Sequence, residues 1–256
     1  LIHPSAIVSP EARIAPDVEI GAYTVIGPGV VIGAGTRIGP HVVIKGPARI
    51  GERNRIFQFA AIGDDPQDKK YAGEATRLEI GNDNTIREFC SINRGTVQDA
   101  GLTSIGDHNW LLAYVHVAHD CRLGSHIIMS NNATLAGHVH VEDHAILSGF
   151  VAVHQFCRIG AHSFIGGQAG LTRDVLPYMT IAGQPPEPHG INSEGLKRRG
   201  FTPEQIRNLK EAYRILYRSN LRLAEARARL QELVPEQPEL RPLVEFIDRS
   251  ERSILR

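Results

Sequence analysis

The chain has 256 residues and carries 28 basic against 28 acidic side chains, so it has no net charge to draw it to a nucleic-acid backbone. No apolar run approaches the ~20 residues that a membrane-spanning helix needs. Repeat sequence is already running at Ile2, which leaves no stretch for a secretion signal and makes the cytoplasm the expected compartment.

Leu1 to Pro66 divides into eleven hexapeptides without a gap, each with a branched apolar residue in second place, from Ile2 and Val8 to Ile56 and Ile62. Glycine follows this anchor at Gly21, Gly27, Gly33, Gly39, Gly51 and Gly63. Neither the 3.6-residue period of a helix nor the broken alternation of hairpins produces such spacing, whereas a parallel β-helix of hexapeptides does. The run breaks at 64–77 (DDPQDKKYAGEATR), a charged stretch that reads as a loop ejected from the coil. It resumes at Ile80, Ile86 and Ile92, breaks again over 93–104, and continues for twelve hexads from Ile105 to Leu171. With three hexads per turn, the 26 anchors predict about nine turns and a prism on the order of 40 Å tall.

Side chains alternate along a strand, so the residue two before each anchor also points inward. That place holds small residues such as Ala12, Val30, Thr36, Ala133 and Ala145, as a narrow interior requires. All three cysteines (Cys90, Cys121 and Cys157) fall there and read as buried packing residues, not as a nucleophile, zinc site or disulfide.

Beyond Leu171 the pattern fades into a proline-rich connector, AGQPPEPHG. Thr202-Pro203-Glu204-Gln205 is then a helix start, with threonine at the cap, proline at the first position and glutamine at the third. Ile206, Leu209, Tyr213, Leu216 and Tyr217 form one apolar stripe, and further helices are predicted over 222–234 and 239–254. The expected division is a coil over 1–184 and a helical domain over 185–256. The helical part should cap an open end of the prism or lie on a neighbouring subunit.

Anchors 18 apart share a face, so Val117, Leu135, Val153 and Leu171 form one column. His116, His119, His138 and His154 attach to that column from places that do not point inward, and so form a candidate site. A neutral imidazole there can act as general base near pH 7, and Asp120 beside His119 can orient it. Three histidines can equally bind zinc, and spacing alone leaves both readings open. His108, His126, His144 and His162 recur every 18 residues as a ladder at one corner, a regularity that suits a structural or interface role. Arg122, His140 and Arg158, one before each anchor, make a mildly basic stripe on a solvated face.

The segments DKKYAGE (68–74), RGTVQ (94–98), AHDC (118–121), NNATLAGHV (131–139), VHQFCRIGAH (153–162) and NSEGLKRRGF (192–201) resemble the UDP-N-acetylglucosamine acyltransferases that begin lipid A synthesis. The resemblance covers nearly the whole chain. It implies a mainly β fold, a left-handed parallel β-helix with a small C-terminal helical domain, assembled as a homotrimer with active sites between subunits. It also implies transfer of an R-3-hydroxyacyl group from the phosphopantetheine arm of acyl carrier protein to the 3-hydroxyl of UDP-N-acetylglucosamine, with no metal and no permanently bound cofactor. Matched by motif, His119 is the general base, Asp120 its support, and the Gly137 N–H the oxyanion donor. Asp68, Lys70, His116, His138, His154 and Gln155 match residues around the sugar. Asn192, Glu194, Arg198 and Arg199 match nucleotide and phosphate contacts. Gly167 matches the position that limits acyl-chain length, and glycine there implies a long chain.

Two positions depart from the family pattern: Asn93 stands where histidine is common before R-G-T, and Pro185 where a histidine meets the nucleotide. Both bear on the choice between the sugar and its 3-amino analogue. The related N-acyltransferases carry an extra N-terminal domain, whereas this sequence starts in the coil. The γ-type carbonic anhydrases, which hold zinc on a similar prism, are the competing enzyme reading, and a non-catalytic prism with flat threonine ladders is the third.

Overall fold

In a computed structural model describing residues 1–256, nearly every anchor closes a short strand, and the strands stack into a three-sided parallel β-helix. The first sheet has nine strands and the second eight, while the third has ten, of which the last, Glu187–Ile191, runs antiparallel to Met179–Ala182. Val117, Leu135, Val153 and Leu171 pair directly in the first sheet, as the 18-residue spacing predicts. Anchors from Ile20 to Leu171 are buried, together with the small residues two places earlier. The three cysteines are free and buried, and burial pushes the thiols of Cys90 and Cys121 up to about 12, so they are inert at neutral pH.

The corners have a rule that the hexad pattern does not announce. The residue three before most anchors takes a left-handed conformation, as at Asp120 (φ 59°), His138 (φ 62°) and His144 (φ 63°). Asp, Asn and His tolerate this region better than most residues. Stacked turns therefore present these side chains as outward ladders.

Inside the corner between the second and third sheets runs a buried polar ladder. Asn84 accepts from the Asn109 N–H at 2.8 Å, and its amide donates to the Gly106 carbonyl at 2.9 Å and to Asn54 Oδ1 at 3.1 Å. Asn109 repeats the arrangement with Ile127 and Gly124. These side chains satisfy corner amides and carbonyls that would otherwise be buried without partners. Asn84→Leu, which keeps the volume and removes the bonds, should cost about 3 kcal/mol and lower the denaturation midpoint, since several buried groups lose partners together. An unchanged midpoint in urea would show that water replaces the ladder.

The coil continues past Leu171: Val175 bridges to Ile159, and Ile181 pairs with Ile165. These partners are sixteen residues apart, not eighteen, so the hexad pattern fades while pairing persists. The tail holds four helices: α1 (Ser193–Arg198), α2 (Pro203–Tyr217), α3 (Leu223–Leu233) and α4 (Arg241–Arg249). Thr202 and Gln205 form the predicted capping box of α2. The helix α1 is not among the predicted helices, the first of which starts at Thr202. The last helix is shorter than predicted because Ser250 bonds Asp174 at 2.6 Å and Ile254 bridges to it, so the chain returns to the coil as an extended strand. Helical and coil side chains share one apolar core. No helix is long and apolar enough to cross a membrane.

Candidate active site

Both interruptions of the repeat leave the coil at the corner between the first and second sheets, after Ile62 and after Ile92. In the following turns the same corner carries His119, then His138, then Gln155 and Phe156. The result is a cleft of about 790 Å³, with Asp68 and Lys70 of the ejected loop on one wall and His119, His138 and Gln155 on another.

His119 projects into this cleft with its Nδ1 2.8 Å from Asp120 Oδ2. The Asp120 carboxylate is fully buried and also accepts from the Thr96 N–H at 2.8 Å and the Thr96 hydroxyl at 2.6 Å. Burial opposes ionisation of Asp120, but the bonds from His119 and Thr96 outweigh it and hold the carboxyl below its usual range. The Asp120 N–H donates to Thr103 Oγ1 at 2.8 Å, which fixes the left-handed corner itself. An ionised carboxylate so held keeps the His119 proton on Nδ1 and leaves Nε2 free as an acceptor.

Gly137 lies against the imidazole. A Cβ there would stand 2.5 Å from Cε1 and 2.8 Å from Nε2 of His119. The Gly137 N–H donates to no protein acceptor, although its neighbours Ala136 and His138 both do. His138 stands edge-on to His119 with ring centroids 5.2 Å apart, stacks on Phe156, and reaches Asp99 Oδ2 at 3.3 Å. His116 is bonded to Ser91 Oγ at 2.7 Å, and burial followed by repulsion from His119 lowers its pKa. His154 is exposed and takes a bond from Arg252 of the tail at 3.0 Å.

Several contributors escaped the sequence reading. Asp99 links Arg122 to His138, and Thr96 and Thr103 hold Asp120. All three belong to the second interruption, which leaves the coil at the His119 corner. Arg94 is buried and clamps the root of the ejected loop through the Gly63 carbonyl, Asp65 and the Tyr71 hydroxyl. Asn93 donates to the Asp65 carbonyl at 2.7 Å, so this departure from the family pattern braces the loop instead of lining the cleft. The basic stripe of Arg122, His140 and Arg158 borders the cleft, and His140 is lowered to about 4 by burial, then by Arg158 and Arg122.

His119, Asp120 and His138 each place a donor atom within 4.8 Å of the others. A cation there would meet an Asp120 Oδ2 that already accepts from His119 and Thr96. The arrangement suits proton transfer better than metal ligation.

The remaining predicted residues stand elsewhere in the chain. Gly167 is at the corner between the third and first sheets, where an added Cβ would meet only the Gly149 carbonyl, at 3.3 Å. Lower turns of that corner stack Tyr23, His41, Phe59, Phe89 and Tyr114 outward at centroid spacings of 4.7 to 5.3 Å. Asn192 caps α1 through Gly195 and donates to the His162 carbonyl at 3.0 Å. Glu194 pairs with Lys197 at 2.7 Å in solvent, and Arg199 donates to His144. These groups adjoin the histidine ladder, where His108, His126, His144 and His162 stack at 4.6 to 4.9 Å. One chain therefore brings Asp68, Lys70, His138 and Gln155 to the catalytic candidates, while His116 and His154 do not line that cleft and the predicted nucleotide contacts and chain-length position lie elsewhere.

Residues 174–255 match the family model described as UDP N-acetylglucosamine O-acyltransferase, domain 2, and residues 1–34 match bacterial transferase hexapeptides. The acyl-[acyl-carrier-protein]–UDP-N-acetylglucosamine O-acyltransferase of Thiobacillus denitrificans is 56% identical over 255 residues, covering 100% of this chain and 99% of that one. The Janthinobacterium enzyme of the same name is 59% identical over 260 residues, again covering 100% and 99%. Among solved structures, the Acinetobacter baumannii protein is 49% identical with a TM-score of 0.98 and full coverage of both chains. The Francisella novicida UDP-N-acetylglucosamine acyltransferase is 48% identical with a TM-score of 0.97, covering 100% of this chain and 94% of that one. At this identity along its whole length, the chain belongs to the acyl-[acyl-carrier-protein]–UDP-N-acetylglucosamine O-acyltransferase family.

Proposed function

We propose that the protein carries out the first step of lipid A synthesis, transfer of an R-3-hydroxyacyl group from acyl carrier protein to the 3-hydroxyl of UDP-N-acetylglucosamine, with His119 as the base. The observation that carries this is the chain from Thr96 through Asp120 to His119, whose ring packs against Gly137, a residue with an unengaged N–H. Nε2 of His119 takes the proton of the sugar hydroxyl as its oxygen bonds to the thioester carbon. The carbonyl oxygen becomes an oxyanion and receives the Gly137 N–H. Collapse of the tetrahedral species breaks the C–S bond, and the departing sulfur takes the proton back from the imidazolium. Ionised Asp120 stabilises that cation. His138 and Lys70 hold the sugar side of the cleft.

The site is completed between protomers of a homotrimer. Gly167 and Arg199 stand at other corners of the prism from His119, Arg198 lies on α1 beside Arg199, and a neighbouring copy can present them to it. The exposed aromatic ladder supports such a contact, since five stacked rings are seldom left to water in a monomer. The partner that brings the acyl group is acyl carrier protein, and the setting is the cytoplasm.

An assay with purified protein, UDP-N-acetylglucosamine and R-3-hydroxyacyl carrier protein should give the 3-O-acyl product, undiminished by chelators. Stoichiometric zinc in protein prepared without added metal, together with loss of activity on its removal, would favour the metal reading. Gly167 sets the acyl length. Wild-type protein should prefer long donors, and Gly167→Met should shift the preference by several carbons towards shorter chains. A strong wild-type preference for a ten-carbon donor would contradict the assignment.

A further inference from the structure

The histidine ladder beside α1 has one rung that differs from the rest. His144 stacks between His126 at 4.6 Å and His162 at 4.7 Å, and its Nδ1 faces Nη1 of Arg199, the residue that ends α1. A guanidinium has only donors, so that nitrogen of His144 must be an acceptor and the ring must be neutral with its proton on Nε2. Arg199 has no other side-chain partner, and no carboxylate lies within salt-bridge distance of it. Its guanidinium is only partly buried, so the face not used by His144 remains open to an anion.

We propose that His144 is a positioning residue for substrate binding: it holds the Arg199 guanidinium by a neutral imidazole acceptor, leaving the rest of the fork aimed at the diphosphate of the nucleotide sugar. The proposal rests on the reading of Arg199 as a phosphate contact. A neutral partner orients the fork without cancelling its charge, which a carboxylate in the same place would do. The groups facing His144 are the His126 and His162 rings, Arg199 and Asp143. Burial, then Arg199, then His126 depress its pKa, against Asp143, so the acceptor is present at neutral pH and is lost as the pH falls and the ring protonates. Protonation also places a second cation beside Arg199.

The test is steady-state kinetics of the full-length protein with His144→Phe, which keeps the stacking and removes the acceptor, and His144→Gln, whose amide oxygen can restore it. His144→Phe should raise KM for UDP-N-acetylglucosamine about tenfold, the loss expected for one charge-assisted hydrogen bond, with kcat and KM for the acyl donor within about twofold. His144→Gln should recover most of the loss. The wild-type KM should rise as the pH falls through the lowered pKa of His144, and the phenylalanine variant should lack that limb. In an Arg199→Ala background, which itself raises KM, His144→Phe should add nothing. Additive effects, or an unchanged KM in His144→Phe while Arg199→Ala raises it, would overturn the proposal alone. An unchanged KM in Arg199→Ala would remove the phosphate reading and the proposal with it.

Discussion

His119→Ala should lower turnover by about three orders of magnitude or more while leaving the fold and nucleotide binding intact. The expected size is that of a lost general base, 10²- to 10⁴-fold, with an addition because the same imidazole returns its proton to the departing sulfur. Structure should survive because the ring is outside the core, and its one side-chain bond is to an Asp120 that keeps three further bonds to Thr96 and Thr103. Turnover can be followed with labelled UDP-N-acetylglucosamine, and binding by calorimetry with the nucleotide sugar alone. A variant that retains most of its activity removes His119 from the chemistry. A variant that also loses binding would mean that the residue serves the acceptor rather than the proton.

Gly137→Ala should be almost as damaging by a different route. The Gly137 backbone is outside the left-handed region, so alanine meets no conformational penalty there. The cost comes from the methyl group, which would stand 2.5 Å from Cε1 of His119 and force the imidazole off Asp120 or the corner backbone outward. A displacement on the order of 1 Å in a reacting group costs about 10²-fold, and a shifted N–H loses oxyanion stabilisation as well, another 10²- to 10³-fold at most. The loss should fall on kcat, with KM for the nucleotide little changed. If the methyl group is accommodated with activity within about threefold, the ring position is not as tightly determined as the contact implies.

The repeat was legible because its cause is local. One apolar residue every six, with a small residue two places before it, is all that a narrow triangular core requires, and from Val18 and Ile20 onward both series are buried as predicted. The column carrying the histidines followed from the same register. What the spacing did not deliver were side chains whose role depends on a neighbouring turn. Asp120 is adjacent to His119 in sequence, but Thr96 and Thr103 hold it from an interruption where the register is lost. Counting strands across the breaks would have placed both loops at the His119 corner, since Ile62 and Ile92 share a sheet with Val117. The asparagine ladder escapes the pattern because Asn54, Asn84 and Asn109 occupy an inward place that it marks only as small. They are tolerated there only because each one satisfies the corner of the next turn. The end of α4 was unreadable for a comparable reason: the residues that stop it bond Asp174, some eighty positions earlier.

In the proposed trimer, the His119 machinery of one chain works on a nucleotide held by Arg199 and its neighbours on another. Co-expression of His119→Ala with Arg199→Ala, each impaired by itself, tests this most directly. Some interfaces of a mixed trimer then pair an intact His119 with an intact Arg199. Random mixing should restore roughly a quarter of wild-type sites. Activity near that level at a nucleotide-sugar concentration well below the KM of Arg199→Ala, and clearly above that of either variant purified separately, is the predicted result. Mixed oligomers no more active than their parents would contradict a site shared between chains.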